Sequence, residues 1–398
     1  MSKVAPHRLG DLLNFKRGYD LPANCRVKGE VPVISSGGVS GFHHEHKADG
    51  EGLVTGRYGT LGEVYYVSGK YWPHNTALYV TDFKGNCVRY LYYLLKLLGH
   101  TKTSDKSAVP GINRNDLHEV VVPAIKDTRE QKKIAKVLST LDAKIELNQR
   151  MNEELEGMAK LLYDYWFVQY DFPMSAAQAK ALGKPHLTGH PYRASGGKMT
   201  YNETLKRDIP EGWTVNPLFK ATAVQYGFPF STNNFTTDIT DMPVVRIRDI
   251  LENSISIYTT EHVDEKYRLE PNDLVIGMDG NFHMNFWNKS GSYLNQRSVR
   301  IRAREDSSIS SFQAYFELSP YIKAREKNVS RTTVGHLSDK DLKRLHLLQA
   351  HNSEQFSPRK TFDCLLSKII QSRTEIQELA QLRDWLLPML MNNQVRVT

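Results

Sequence analysis

From Ile134 to Trp166 the inward positions of a regular pattern fall at spacings of four and three: Ile134, Leu138, Leu141, Ile145, then Asn148 and Asn152, then Leu155, Ala159, Leu162 and Trp166. Such a heptad seam predicts a helix that packs along its length on another helix. Arg129 to Phe167 contains no proline and one glycine, Gly157. About 40 residues at ~1.5 Å each make a rod of roughly 60 Å. The seam returns 224 residues later (138 + 224 = 362) as Phe362, Leu365, Ile369, Ser372, Ile376, Leu379, Arg383, Leu386 and Leu390. A small polar residue, Ser372, again interrupts the apolar run where Asn148 does in the first helix.

The stretches ahead of the two helices also correspond. VPVISSGG (31–38) matches MPVVRIRD (242–249), and GLVTGRYGTLG (52–62) matches DLVIGMDGNFH (273–283). GINRNDLHEVVVP (111–123) matches GHLSDKDLKRLHLL (335–348). Their common order predicts a tandem duplication, each copy being short strands with turn glycines, a strand-like apolar run, and a long helix. Between the copies, residues 175–208 are polar and rich in Gly and Pro, which reads as a surface linker.

Composition bounds the partners. Hydrophobic residues make up 40% and charged residues 24%, as in an ordinary globular chain. Met1 to Asp11 carries no signal-peptide pattern, and the most apolar stretch, Tyr90 to Leu98, is too short to span a membrane. The three cysteines, Cys25, Cys87 and Cys364, lie far apart, which argues against a disulfide framework or zinc cluster and favours the cytoplasm. Lys and Arg (52) exceed Asp and Glu (44), for a net charge of +8, a balance that suits a polyanion.

Two paired helices carrying two related but different globular modules would suit an asymmetric, split DNA site with an unread spacer. RSVRIRARE (297–305) and VVRIRDI (244–250), read as strands, put Arg246 and Arg248, and Arg300, Arg302 and Arg304, on one face. That face is either a nucleic-acid surface or a solvated sheet face. Arg57 and Tyr58 stand on the glycine-rich turn GRYGTLG (56–62), and Asp279 and His283 hold the matching place in the second copy. Lys102, Ser104 and Lys106, and Arg331, Thr332 and Thr333, precede the last strand of their modules as candidate basic arms. FHHEHK (42–47) has histidines at spacings that fit no metal motif and reads as a polar loop. No GxxxxGK[ST] loop, GxGxxG turn, Asn-Pro-Pro-aromatic segment or nucleophile triad stands out, so binding is expected rather than catalysis, with no metal site. A self-contained DNA-modifying enzyme and a coiled-coil scaffold without a DNA role are the rival readings.

The segment TREQKKIAKVLSTLDAKIELNQRMNEELEGMAKLLYDYWFVQYDFP (128–173) resembles the central helical region of specificity subunits of Type I restriction-modification enzymes. VVVPAIKDTREQKKIA leading into it, and MTYNETLKRDIPEGW (199–213) opening the second module, resemble that family too. The resemblance implies an α+β chain of two tandem α/β target recognition domains separated by two long helices that form an antiparallel coiled coil, a pseudo-two-fold repeat. Its parts would be an N-terminal recognition domain (1–127), a central helix (128–170), a linker (171–212), a C-terminal recognition domain (213–353) and a distal helix (354–393). It further implies double-stranded DNA, two modification subunits and restriction subunits as partners. S-adenosylmethionine and Mg/ATP would belong to those partners and no cofactor to this chain. YLNQRSVRIR (293–302) is similar to a recognition-domain segment and places Arg297 near DNA. Tyr163, Tyr165, Trp166, Phe167 and Tyr170 are too bulky for a two-helix seam and pack either on the neighbouring recognition domain or on a modification subunit; the first four, with Trp385, are the candidate subunit-interface residues. Asn148, Asn152 and Ser372 are either tolerated near a solvated edge or fix the helix register by hydrogen bonds across the pair.

Overall fold

The structure, a computed structural model, describes residues 4–56, 63–102, 114–327 and 335–397, the side chains of residues 100–102 excepted. The chain divides into two units, residues 1–146 with 377–398 and residues 147–376.

The first unit begins with β1 (Ala5–Arg8), β2 (Asn14–Arg17), β3 (Val31–Ser35), β4 (Gly38–His43), β5 (Gly52–Gly56), β6 (Val64–Val67), β7 (Trp72–Pro73) and β8 (Ala77–Asp82). Then come α1 (Val88–Lys102), α2 (Arg114–Glu119), β9 (Val121–Ala124) and the start of the long helix α3 (Thr128–Tyr163). The main sheet runs β2-β8-β5-β6, a second sheet runs β4-β3-β7, and β1 pairs with β9. Every residue of β5 is buried, which is why it reads as a continuous apolar run and not as an alternation.

The second unit holds the rest of α3, then α4 (Ala176–Ala181), β10 (Met199–Asn202), β11 (Arg207–Pro210), β12 (Thr214–Pro217), α5 (Leu218–Ala221) and β13 (Thr222–Tyr226). It continues through β14 (Phe235–Thr236), β15 (Met242–Val245), β16 (Ile257–Thr259), β17 (Arg268–Leu269), β18 (Leu274–Gly277), β19 (Met284–Phe286), β20 (Ser292–Leu294) and β21 (Ser298–Ala303). It ends with α6 (Ser311–Lys327), α7 (Asp339–Lys343), β22 (His346–Gln349) and the first part of α8 (Pro358–Met391). Its main sheet, β13-β21-β18-β19, repeats the strand roles of the first unit, and β12 pairs with β22 as β1 does with β9. The parallel pairing of β15 with β20 repeats that of β3 with β7. The duplication read from the sequence is therefore a duplication of topology.

Both long helices contribute to both units, and in each unit they run antiparallel. In the first, Leu387, Leu390 and Met391 of α8 join Ile134 and Leu138 of α3 in one core with Leu9, Phe15 and Leu94. Asp142 of α3 accepts from Arg383 of α8 at 2.8 Å and from Tyr93 of α1 at 2.6 Å, tying three helices at one carboxylate. In the second, Asn148 Nδ2 donates to Glu375 at 2.8 Å, and Trp166 meets Phe362 edge-on at 5.7 Å. Asn148 is 1% exposed. The buried Oδ1 of Asn152 has no hydrogen-bond partner among the described residues.

Two expectations change here. Residues 171–212 are folded onto the second unit: Phe172, Met174, Ala179, Tyr192 and Ile209 are buried in its core. Ser175 caps α4, its hydroxyl accepting from the Gln178 amide at 3.2 Å while Gln178 Oε1 accepts from the Ser175 amide at 2.8 Å. The polar composition that suggested a linker belongs to the outer surface of a segment held by a few aromatic anchors. The strand expected over 244–250 stops at Val245, because the Asp249 carboxylate accepts from the Arg246 amide at 2.9 Å and starts a 3-10 turn over Ile247–Asp249.

One buried acid in this unit gives a pH signature. Burial pushes the Glu317 carboxyl up to about 7, against hydrogen bonds from Gln313 Nε2 at 2.7 Å and the Leu348 amide at 2.8 Å. The folded state therefore holds this proton more tightly than the unfolded chain. The resulting stabilisation is full below the ordinary value of 4.5 and is lost as pH rises to about 7. Between pH 5 and 8 the wild type is expected to lose roughly 1–3 kcal/mol that Glu317→Gln retains. Denaturant midpoints of both proteins across that range check it; parallel profiles would contradict it.

Candidate nucleic-acid interface

In the second unit, β18 and β21 end side by side, and the turns beyond them meet. Met278 N donates to Arg297 O at 2.8 Å, Gly280 N to Gly335 O at 2.9 Å, and Leu337 N to Met278 O at 2.8 Å. Asp279 thereby lies opposite His336 in a short antiparallel bridge. Its carboxylate takes Arg297 Nη1 at 3.1 Å on one oxygen and His336 Nδ1 at 2.6 Å on the other. The Arg297 and His336 side chains are 60% and 51% exposed, and Asp279 is 26% exposed. His283 lies close in sequence, its carbonyl accepting from Gly277 N at 2.8 Å and its amide donating to Asn281 O at 2.8 Å.

The turn that presents Arg297 is fixed from behind. Phe228 O accepts from Gln296 N at 2.8 Å, Val245 O from Asn295 N at 3.0 Å, and Gly227 N donates to Ser298 O at 3.0 Å. A Cβ on Gly227 would sit 1.9 Å from Asn295 O, so the close approach of β13 requires glycine there. The first unit repeats this with Gly18, whose Cβ would meet His74 O at 2.2 Å. The bridges Tyr19–His74 and Phe228–Asn295 match as well, which makes Thr76 the counterpart of Arg297. Thr76 Oγ1 lies 3.0 Å from His74 Nδ1 and accepts from Ser36 N at 3.3 Å.

Arg297 has φ +70, in the left-handed region that disfavours an arginine. That conformation costs about 1–2 kcal/mol. An exposed ion pair of the Arg297–Asp279 kind returns about 0–1 kcal/mol. Stability does not account for this arrangement.

The other basic candidates divide. Arg246 is drawn inward: its Nε lies 3.4 Å from the buried Asp249, and Nη2 donates to Ser256 at 2.6 Å. Arg248 is exposed on the 3-10 turn, not on a strand face beside it. On β21 the alternation is as read, with Val299 and Ile301 fully buried, yet the arginine face is not a free basic surface. Arg300 is 8% exposed and donates to the Lys266 and Arg268 carbonyls at 3.2 and 2.7 Å. Arg302 grips Asp273 with two bonds of 2.6 Å. Arg304 lies past the strand and pairs with Asp306. Arg57, Tyr58, Ser104, Lys106, Arg331, Thr332 and Thr333, and the side chain of Lys102, lie outside the described residues. Asp279 is engaged at both carboxylate oxygens, by Arg297 and His336. In the FHHEHK loop, His43 is buried, accepts from Val27 N at 3.1 Å and meets Trp72 edge-on at 5.2 Å.

The interface candidates also divide. Trp166 and Phe167 face the second unit's own core, and Tyr163 stacks on Phe316 at 5.1 Å. Burial pushes the Tyr163 hydroxyl far above the usual range. Tyr165 (39% exposed) and Trp385 (55%) face outward. With Tyr165, Leu147, Met151, Met158, Leu161 and Val168 make an exposed apolar stripe along the second unit's part of α3 and the turn that extends it. In the repeat, Leu382 and Trp385 of the first unit stand where Met158 and Leu161 stand in the second (158 + 224 = 382; 161 + 224 = 385), and both are exposed. Sequence reading missed His336, Thr76 and this stripe. The stripe's heptad spacing was visible; the pairing of Asp279 with His336, far apart in the chain, was not.

Among the described residues no helix is long and apolar enough to cross a membrane. The chain is 27% identical over 329 residues to the MjaIX specificity subunit of Methanocaldococcus jannaschii, which covers 77% of this chain and 69% of that one. It is 29% identical over 194 residues to the EcoBI specificity subunit of Escherichia coli, covering 46% of this chain and 41% of that one. Its fold is similar to that of the Type I restriction-modification S subunit from M. genitalium, with a TM-score of 0.65 at 16% identity, over 100% of this chain and 97% of the other. The Type I restriction modification DNA specificity domain model matches residues 1–157 and 212–379, one match on each copy of the repeat, and the chain belongs to that family.

Proposed function

We propose that this chain is the DNA specificity subunit of a Type I restriction-modification assembly, reading a bipartite, asymmetric site with one unit for each half. The observation that carries this reading is the match of both copies of the repeat to the specificity domain. Like frames with unlike residues at one presenting turn, Arg297 and Thr76, suit two different half-sites. The helix pair is then the spacer, with the buried Asn148–Glu375 bond a register mark along it. Catalysis, S-adenosylmethionine and Mg/ATP belong to modification and restriction subunits, and the compartment is the cytoplasm. The test is to map methylated adenines in a host expressing the chain with its modification subunit. One split motif with a constant gap is expected; methylation without such a motif would overturn the reading, as would methyl transfer by the purified chain alone. Binding should also weaken steeply with salt, as several phosphate contacts require.

The two exposed apolar patches suit two modification subunits docked in equivalent ways. Leu161→Asp and Trp385→Asp are each expected to leave an assembly with one modification subunit in place of two, read by native mass measurement. Because both side chains are exposed, the melting of the isolated chain should shift by less than about 0.5 kcal/mol equivalent. Full occupancy in both variants would remove these patches as docking sites.

A further inference from the structure

We infer that Arg297 reads a guanine in the half-site of the second unit, and that Asp279 and His336 are positioning residues that aim it. The inference rests on the DNA-recognition reading above and assigns one chemistry to one side chain. Arginine matches guanine O6 and N7 through two parallel N–H donors, which requires the planar group to arrive in a set orientation. Here that orientation is prepared before DNA arrives. Asp279 pairs with Nη1, and Nε and Nη2 have no partner among the described residues. His336 occupies the second carboxylate oxygen and keeps the carboxylate from turning. Backbone bonds from Gln296 and Asn295, and to the Arg297 carbonyl, fix the turn beneath. A phosphate contact would need none of this, since a flexible cation on an unstrained backbone serves as well. The unfavourable φ is retained because it directs an exposed guanidinium outward from a rigid frame. At the corresponding turn the first unit carries Thr76, whose hydroxyl is held by Ser36 N and His74, so the two units present different donors at one position of a common frame.

The test uses the full complex with modification subunits and duplexes randomised in the second half-site. Arg297→Gly relieves the backbone, so its melting temperature should equal or exceed that of the wild type. It should still lose roughly 5- to 150-fold of the preference for G at one base pair, with the first half-site unchanged. Arg297→Lys, which keeps the charge but not the fork, should lose the same preference. Asp279→Asn and His336→Phe should weaken selectivity at that same base pair and no other. The inference is overturned if Arg297→Lys restores full selectivity, or if Arg297→Gly weakens all sequences alike and lowers the salt slope by ~0.9, the mark of a phosphate contact. A wild-type complex with no split preference would instead defeat the functional reading itself, so the two failures are distinguishable.

Discussion

Asp273→Ala is expected to destabilise the second unit by about 3 kcal/mol, although Asp273 lies on no surface that could touch DNA. Its side chain is 1% exposed and takes both donors of Arg302, while its Oδ2 also accepts from the Glu270 amide at 2.7 Å. Arg300 lies buried beside it, its Nη1 donating to the Lys266 and Arg268 carbonyls while its buried Nε has no hydrogen-bond partner among the described residues. Removing the carboxylate takes the paired counter-charge from half-buried Arg302 and leaves Glu270 as the acid acting on it and on buried Arg300, and breaking a buried pair by deleting one partner carries a penalty of about 3–5 kcal/mol. The partial exposure of Arg302 places the expectation at the lower end. Replacing Asp273 and Arg302 together by leucine should recover most of the loss, because the penalty comes from the unpaired charge and not from the missing bond. Urea midpoints of the three proteins decide it. A loss under about 1 kcal/mol in the single variant would mean that water reaches the arginines.

Phe167→Ala should have an effect of the same order or larger, about 3–5 kcal/mol. Phe167 is 1% exposed and lies among Tyr163, Trp213 and Phe362 with ring separations of 5.6, 5.3 and 6.2 Å. A cavity opened there is bounded by large rings, Tyr163 stacked and Trp213 and Phe362 tilted, that relax poorly. Tyr165→Ala, two residues earlier, should change stability by less than about 0.5 kcal/mol, since Tyr165 faces outward. Thermal unfolding of the two variants side by side separates the inner from the outer face of one helical turn. Equal effects would contradict the assigned orientation.

These cases mark what a sequence can disclose. The seam was legible because burial at heptad spacing is a local pattern: Leu138, Ile145, Asn148, Asn152 and Ser372 all face inward. The repeat was legible because the same strands must fill the same sheet positions twice. The fate of the arginines was not legible. Alternation placed Arg300 and Arg302 on a common face, but whether that face meets water or Asp273 depends on a carboxylate contributed from another part of the chain. Arg246 was misplaced for a related reason, since one hydrogen bond from its own amide to Asp249 ends the strand. Asp279 and His336 show the same limit: a positioning contact between turns distant in sequence leaves no local signature.

The helices' division between units also dictates the order in which the molecule can be made. The second unit is one continuous stretch of sequence, 147–376, inserted between the two segments that make up the first, whose core needs Leu387, Leu390 and Met391 from beyond that stretch. Domains emerging from the ribosome ordinarily close in the order they are synthesised. Here the module translated first must wait with an open apolar face until the module translated second has been completed. A chain truncated between residues 376 and 387 and released from the ribosome should therefore have a later half that is protease-resistant and an earlier half that is not.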